Sequence, residues 1–184
     1  MMLMGYENII FMKYGVHASE KAEQIVERKM REIQETKRMF WGYGGTICHP
    51  INQVQPFLKR NAARNQKTYL VMAYTPSKMD GPMVEAISYS TDKVSWNKMP
   101  TGIHVYGSKY AIVCSDIRRC DFTLDLADYM VPVGRSKGRL LSEYVNGRVD
   151  KGCGTFCGKQ KEESRFVNIT LCAEIAAPYA VFLK

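Results

Sequence analysis

The amino-acid sequence predicts an α+β fold in which one long N-terminal helix packs on a mainly antiparallel sheet, followed by a loop-rich, cysteine-containing C-terminal part. An amphipathic run over residues 20–39 predicts the helix, and several short apolar segments separated by turn residues predict the sheet. No internal repeat or low-complexity linker divides the chain. We therefore expect residues 1–184 to form a single domain.

The first strand and the helix follow from residue spacing near the N-terminus. Residues 8–14 form an apolar run that ends at Gly15, which is typical of a strand. Ser19 is expected to be the helix N-cap, because its hydroxyl can accept a proton from a first-turn amide. The helix is expected to bury one apolar stripe and to expose a charged face. The stripe consists of Ala22, Ile25, Val26, Met30 and Ile33.

Turn residues and alternating apolar segments predict the remaining elements. A short second helix is expected to begin at Pro56, and residues 83–90 suit either a strand or a helix. Residues 134–162 are basic and rich in glycine and cysteine, and an alternative interpretation makes them a separate subdomain or excursion. Strands are expected at residues 68–74, 103–106, 110–114, 122–126, 166–172 and 180–183, with 103–106 and 110–114 pairing as a hairpin.

Composition indicates a folded, basic protein. Of the 184 residues, 46% are hydrophobic and 24% are charged, which is typical of a domain with a buried core and excludes a disordered chain. Lys and Arg total 26 against 18 for Asp and Glu, so the formal net charge is +8. This surplus favours an anionic partner: nucleic acid, a nucleotide or an acidic protein surface. A solvated basic face without a partner is the alternative.

The N-terminal residues and the cysteines indicate the compartment. The apolar runs near the N-terminus are too short for a signal-peptide core or a membrane span, so we expect a cytoplasmic protein without membrane contact. In that compartment, cysteines act as thiols or metal ligands more often than as disulfides. The six cysteines are Cys48, Cys114, Cys120, Cys153, Cys157 and Cys172.

Residues 40–50 have a composition that is typical of a functional site. They combine Trp41 and Tyr43 with three glycines and two potential metal ligands. The spacing lacks the Lys and Ser or Thr of a phosphate-binding P-loop. We interpret the stretch as a glycine-rich turn that anchors Trp41 in the core. The alternative is a pocket around residues 40–50.

One structural zinc ion is the predicted cofactor. Cys153 and Cys157 are separated by three residues and flanked by glycines, which suits half of a tetrahedral site. Cys48 and His49 are expected to supply the other half, with Cys114 and Cys120 as alternative ligands. The competing interpretation is that these cysteines are small buried thiols.

Three residues are candidates for a catalytic role in the enzyme alternative: His17, Cys48 and Asp92. His17 precedes the predicted helix and can act as a general base or can cap and pack. Cys48 is a potential nucleophile if His17 lies beside it in space. No sequence pattern assigns these residues to a reaction class.

Two basic segments are expected to form the partner-binding surface. Their residues are Lys59, Arg60, Arg64, Lys67, Arg135, Lys137, Arg139 and Arg148. Neighbouring tyrosines can stack on bases if the partner is nucleic acid.

The resulting functional hypothesis is a small, basic, non-enzymatic binding protein that is stabilised by one structural zinc ion. It is expected to dock on an acidic or nucleic-acid-associated protein, or on nucleic acid directly, as an inhibitor or accessory factor. Counter-defence proteins of mobile elements are one example of this class. The alternative hypothesis is an enzyme that acts on a nucleotide or nucleic acid.

Overall fold

The computed structural model describes residues 5–44, 48–79 and 84–184, with the side chains of residues 77–79 excluded. Its helices are α1 (Ala22–Thr36), α2 (Ile51–Ala63) and α3 (Leu141–Tyr144), and one 3₁₀ turn spans Leu126–Asp128. The strands are β1 (Asn8–His17), β2 (Met39–Gly44), β3 (Thr68–Met79), β4 (Ser88–Ser90), β5 (Asn97–Lys98), β6 (Tyr110–Cys114), β7 (Arg118–Asp125), β8 (Tyr129–Met130), β9 (Lys151–Phe156) and β10 (Phe166–Leu183).

All ten of these strands belong to one mixed sheet. Its main path runs β2-β6-β10-β3-β1-β9-β8, while β7 and β4 pair with β10, and β5 pairs with β4. The central strands β1 and β3 are parallel, and the other pairs are antiparallel. The parallel pair lies in the middle of the sheet, so apolar side chains cover both of its faces.

The long strand β10 joins the two halves of the sheet. Its first half pairs with β3 and β7, and its last residues pair with β6 and β4. The register shifts between Ile175 and Ala180, where Tyr179 has a φ of 72°. Beyond this shift the sheet curls, and the rings of Tyr14 on β1 and Trp41 on β2 lie 6.4 Å apart. Those two strands are four places apart in the sheet.

Three apolar clusters fill the fold. The largest lies inside the curl and takes side chains from α1, α2 and six of the strands. A second cluster covers the other face of the β1–β3 half, beneath α3. A third cluster packs Ile103 and Val105 onto the outer face of β6.

The predicted fold class is wrong in its balance of elements. Strands contain 43% of the residues and helices 21%, and the sheet is mixed because β1 and β3 form a parallel pair among antiparallel ones. The predicted helix over residues 20–39 is a helix of 15 residues, because Lys37 adopts a left-handed φ of 65° and Met39 begins β2. The C-terminal part is dominated by β9 and β10 rather than by loops.

Several local predictions also require correction. Ser19 has a φ of 65° and lies in the turn between His17 and Glu20, so Lys21 is the N-cap of α1 instead. Helix α2 begins at Ile51, which places Pro56 inside it. Residues 103–106 form no strand. Predicted strands within β1, β3, β6 and the first half of β10 are confirmed.

Residues 134–162 contain α3 and β9, and β9 pairs with β1 inside the main sheet. Within the predicted element at residues 83–90, Ser88–Ser90 form strand β4, and residue 83 lies outside the described residues.

A buried ion pair fixes α1 against the sheet. The Lys29 ammonium donates to Glu32, to the carbonyl of Phe40 on β2 and to the carbonyl of His104. Lys29 is 3% exposed and Glu32 is 1% exposed. Burial lowers the pKa of Lys29 to about 8 and raises the pKa of Glu32, while each partner opposes the shift in the other.

Replacing Glu32 by Gln should destabilise the protein strongly. The Glu32→Gln variant leaves a buried ammonium without its carboxylate, which costs about 3–5 kcal/mol of unfolding free energy. The measurement is urea unfolding at pH 7, with Glu35→Gln as the matched control on the exposed face of α1. Equal stability of the two variants would contradict a structural role for the Lys29–Glu32 pair.

Candidate functional site

A cavity of about 660 Å³ opens between β1, β2 and the first half of α1. The loop of residues 105–109 and the segment of residues 148–151, which leads into the first residue of β9, complete its wall. This volume lies within the range of small-molecule sites. The lining residues are Met12, Lys13, Tyr14, Gly15, Val16, His17, Ile25, Arg28, Lys29, Trp41, Gly42, Tyr43, Gly44, Cys48, Val105, Tyr106, Gly107, Ser108, Lys109, Arg148, Asp150 and Lys151.

Two glycines of β2 allow the cavity wall to close. A Cβ atom at Gly42 would lie 2.4 Å from the hydroxyl oxygen of Ser108, so only glycine lets that loop approach the strand. Gly44 has a φ of 109°, which favours glycine, and its carbonyl accepts a hydrogen bond from the Lys109 amide at 2.9 Å. Gly42 and Gly44, predicted from the sequence to form a turn, therefore continue β2 along the cavity, and the third glycine, Gly45, lies outside the described residues.

Aromatic rings form the rigid part of the wall. Trp41 is 6% exposed and Tyr43 is 1% exposed, so the core holds both rings in place. Tyr14 meets Trp41 edge to face, and its hydroxyl bonds to the Thr170 hydroxyl at 2.7 Å. Tyr43 stacks on Tyr110 with 4.9 Å between ring centroids. The packed rings of Trp41 and Tyr43 thus hold this wall in place, and Tyr14 adds a partly exposed ring beside the charged groups.

The lining cations fall into two classes. Arg28 and Lys29 have carboxylate partners: Arg28 bonds Glu20 and Glu32, and Lys29 bonds Glu32. The other class has no ion pair among the described residues and consists of Lys13, Lys109, Arg148 and Lys151.

Asp150 is the single carboxylate among the described lining residues. Four cations without ion pairs therefore face one carboxylate, and the cavity attracts anions.

His17 lines the cavity at the end of β1. Its Nε2 lies 2.9 Å from the carbonyl oxygen of Tyr106. Because a carbonyl only accepts, Nε2 is the donor in this bond, and in the tautomer that has its proton on Nε2 the acceptor nitrogen is Nδ1. The guanidinium of Arg28 covers the Tyr106 ring at 5.0 Å from its centroid. His17 therefore has a structural bond and still presents one acceptor nitrogen.

The structure separates the other two candidate catalytic residues. Cys48 lines the cavity and is 4% exposed, and burial raises the pKa of its thiol. Asp92 lies outside the cavity in an exposed turn, where its carboxylate accepts from the amides of Val94 and Ser95 at 2.8 and 2.9 Å. Those backbone bonds lower the pKa of Asp92. Asp92 is thus not brought together with His17 and Cys48.

The predicted zinc ligands are only partly brought together. The Cys153 amide donates to His49 Nδ1 at 3.1 Å, and Cys48 belongs to the same core cluster as Cys153. Cys157 follows the end of β9 and contacts the carbonyl of Asp128. Four residues of extended chain span about 13 Å, which places Cys157 far from Cys153.

The alternative ligands lie on separate strands, Cys114 on β6 and Cys120 on β7. Within the described ranges, no group of three or more His, Cys, Asp or Glu side chains could hold a metal. Zinc binding stays a prediction.

The predicted partner-binding residues form two groups near opposite ends of α2. Lys59, Arg60 and Arg64 are exposed at its C-terminal end, followed by Lys67, which pairs with Glu174 at 3.4 Å. The exposed Arg135, Lys137 and Arg139 follow Gly134, where a Cβ atom would lie 2.7 Å from the side-chain oxygen of Gln53 in the first turn of α2. Arg148 belongs to neither group and lines the cavity.

Sequence reasoning missed several lining residues. Tyr106, Ser108 and Lys109 come from one loop, and Lys151 is the first residue of β9. Both segments are distant from β2 along the chain. No local motif marks them. The one available signal was the basic character of the segment that contains Lys151.

Comparison of the chain with protein-family models, curated proteins and solved structures found no match. Among the described helices, none is long and apolar enough to cross a membrane.

His49 is a buried neutral histidine at the edge of this region. Its ring stacks on Tyr144 with 4.5 Å between centroids, and its Nδ1 accepts the Cys153 amide proton. Nε2 therefore carries the proton of the neutral form, without a partner among the described residues. Burial lowers the pKa of His49 from 6.5 to about 4. Charging the ring would place a proton on Nδ1 and break the bond to Cys153.

Stability should therefore fall as the pH drops from about 6.5 to about 4. The unfolded chain binds the His49 proton first, so this histidine alone removes about 3 kcal/mol of unfolding free energy across that window. The measurement is urea unfolding at several pH values for the wild type and for His49→Asn. Asparagine tolerates the φ of 54° found at this position.

The His49→Asn variant should lose much of the dependence of the unfolding free energy on pH between pH 4 and 6.5. The exposed Asn52 in α2 provides the control, since Asn52→Ala removes no titratable group and should keep the slope. An unchanged slope in His49→Asn would contradict the assignment.

Proposed function

We propose that this protein binds a small organic anion in the cavity and holds it without converting it. The observation that carries the proposal is the set of four cations without ion pairs beside the fixed rings of Trp41 and Tyr43. Cationic groups that are not neutralised from within the protein favour a ligand that supplies negative charge. The partly exposed rings of Tyr14 and Tyr106 in the same lining add apolar contact surface for an organic group.

The concave position of these cations supports a small ligand. Lys151 lines the cavity with its ammonium 5.0 Å from the centroid of the Tyr43 ring, which is itself almost fully buried. A flat macromolecular surface reaches such a recess poorly, whereas a ligand that fits within about 660 Å³ can contact its walls.

Capture without conversion is proposed because the reactive groups are poorly arranged for catalysis. Burial keeps the Cys48 thiol protonated at neutral pH, and the Nε2 proton of His17 is directed at a backbone carbonyl. In the part of the chain that the structure describes, no hydrogen bond joins a lining thiol to a lining base. A nucleophile needs such a base nearby.

Docking on an acidic or nucleic-acid-associated protein, or on nucleic acid, remains a prediction for the exposed residues at the two ends of α2. An inhibitor or accessory factor that works by removing a small anion from solution is compatible with the proposed cavity function. We also propose a cytoplasmic location, which the six free cysteines support.

Binding should be visible as thermal stabilisation. Organic phosphates and di- and tricarboxylates are tested singly by differential scanning fluorimetry and then by calorimetry. A ligand present at one hundred times its Kd raises the unfolding free energy by about 2.7 kcal/mol. For a chain of this size, that corresponds to an increase in Tm of about 5–10 °C.

The Lys151→Gln variant should bind the same ligand about tenfold more weakly or worse, because it removes a charged contact. Lys59→Gln is the matched control on the exposed face of α2. The proposal fails if no anion in the panel stabilises the wild type, or if Lys59→Gln and Lys151→Gln weaken binding equally.

A further inference from the structure

The chemical class of the anion can be inferred from the two ends of the cavity, and this inference rests on the proposed function. One end is cationic and lies around Gly44. A Cβ atom at Gly44 would be 2.9 Å from the Lys151 ammonium, and the Lys109 backbone bonds the Gly44 carbonyl. Arg148 lines the cavity three residues before Lys151. These cations suit a group with several negative oxygens, such as a phosphate.

The other end is aromatic and lies around Trp41. Tyr14 contacts Trp41 edge to face, and the partly exposed ring of Tyr106 lines the same cavity. Ser108 reaches β2 at Gly42, beside Trp41, and His17 presents an acceptor nitrogen near Tyr106. This end therefore offers ring surfaces for stacking together with polar atoms that can bond the edge of a heterocycle.

The spacing of the two ends fits one molecule that carries both groups. Trp41 and Gly44 are three residues apart on β2, which corresponds to about 10 Å of extended chain. A ligand that reaches both ends needs a planar ring and a polyanionic group joined by a spacer. In a nucleotide, the ribose is that spacer.

We infer that the ligand is a free nucleotide, with its phosphate groups at Lys109 and Lys151 and its base against the partly exposed ring of Tyr14, beside Trp41. A sugar phosphate would leave the aromatic end uncovered. A small aromatic carboxylate would supply only one negative charge to a cavity with four cations lacking ion pairs and one carboxylate.

Calorimetry with matched ligands tests both ends. The probes are the four common ribonucleoside diphosphates, the corresponding nucleosides, ribose 5-phosphate and a single-stranded oligonucleotide. At least one nucleoside diphosphate should bind. The corresponding nucleoside and ribose 5-phosphate should each bind with at least tenfold lower affinity.

Substitutions at the cationic end and at the aromatic end of the cavity test the two contacts separately. Lys109→Gln and Lys151→Gln should each weaken diphosphate binding by about ten- to a hundredfold while leaving nucleoside binding unchanged. Tyr14→Leu should weaken nucleotide and nucleoside alike. Tyr14→Phe keeps the ring and removes only the bond to Thr170, so it serves as the matched control. Circular dichroism and urea unfolding confirm that each variant is folded.

The outcomes separate this inference from the proposed function. If a carboxylate or sugar phosphate binds in a Lys151-dependent manner and no nucleotide does, the nucleotide inference is overturned and anion binding stands. Equal affinity for nucleoside and diphosphate also overturns it. Tighter binding of the oligonucleotide than of every nucleotide overturns the assignment to a free ligand. If no anion binds at all, both proposals fail.

Discussion

The change of pairing partners along β10 is the constraint on which the rest of the structure depends. One continuous strand hydrogen-bonds β3 and β7 with its first half and β6 and β4 with its last residues. The register shift between Ile175 and Ala180 turns the second group of strands against the first. The curl creates the interior that α1 and α2 fill, and it brings β2 opposite β1. Without that turn, Trp41 and Tyr14 would lie on distant parts of an open sheet, and no cavity would form between them.

Charge compensation gives the interior of this curl its chemical character. The buried carboxylate of Glu32 is committed to Lys29 and Arg28, so these two cations stabilise α1 rather than attract a ligand. The cavity-lining residues Lys13, Lys109, Arg148 and Lys151 have no such partner within the described ranges. The formal charge of +8 thus includes cations that stabilise the packing of α1 and cations that are available to bind a ligand. Only the second group can contribute to recognition, and composition alone does not distinguish the two.

The sequence allowed prediction of the elements whose signals are local. Alternating or continuous apolar runs marked β1, β3, β6 and the first half of β10. Strands β2 and β9 were missed because glycines lower their intrinsic strand preference. Gly154 is required there, since a Cβ atom would lie 2.8 Å from Leu141 on the neighbouring helix. The sequence marked Trp41, Cys48, His17 and Arg148 as candidates, and the structure places all four in one cavity. The sequence did not predict that Lys109 and the start of β9 at Lys151 lie beside β2, because the fold alone brings these segments together.

The contact between Lys151 and Tyr43 has a consequence for the entropy of binding. The ammonium already lies over the negative face of a ring that the core holds rigid, with 5.0 Å to its centroid. A surface lysine loses rotamer freedom when it captures an anion, which costs about 0.5–1.5 kcal/mol per side chain. Here the ring restricts the side chain in advance, so less freedom is left to lose. Tyr43 thereby preorganises the site without having to touch the anion.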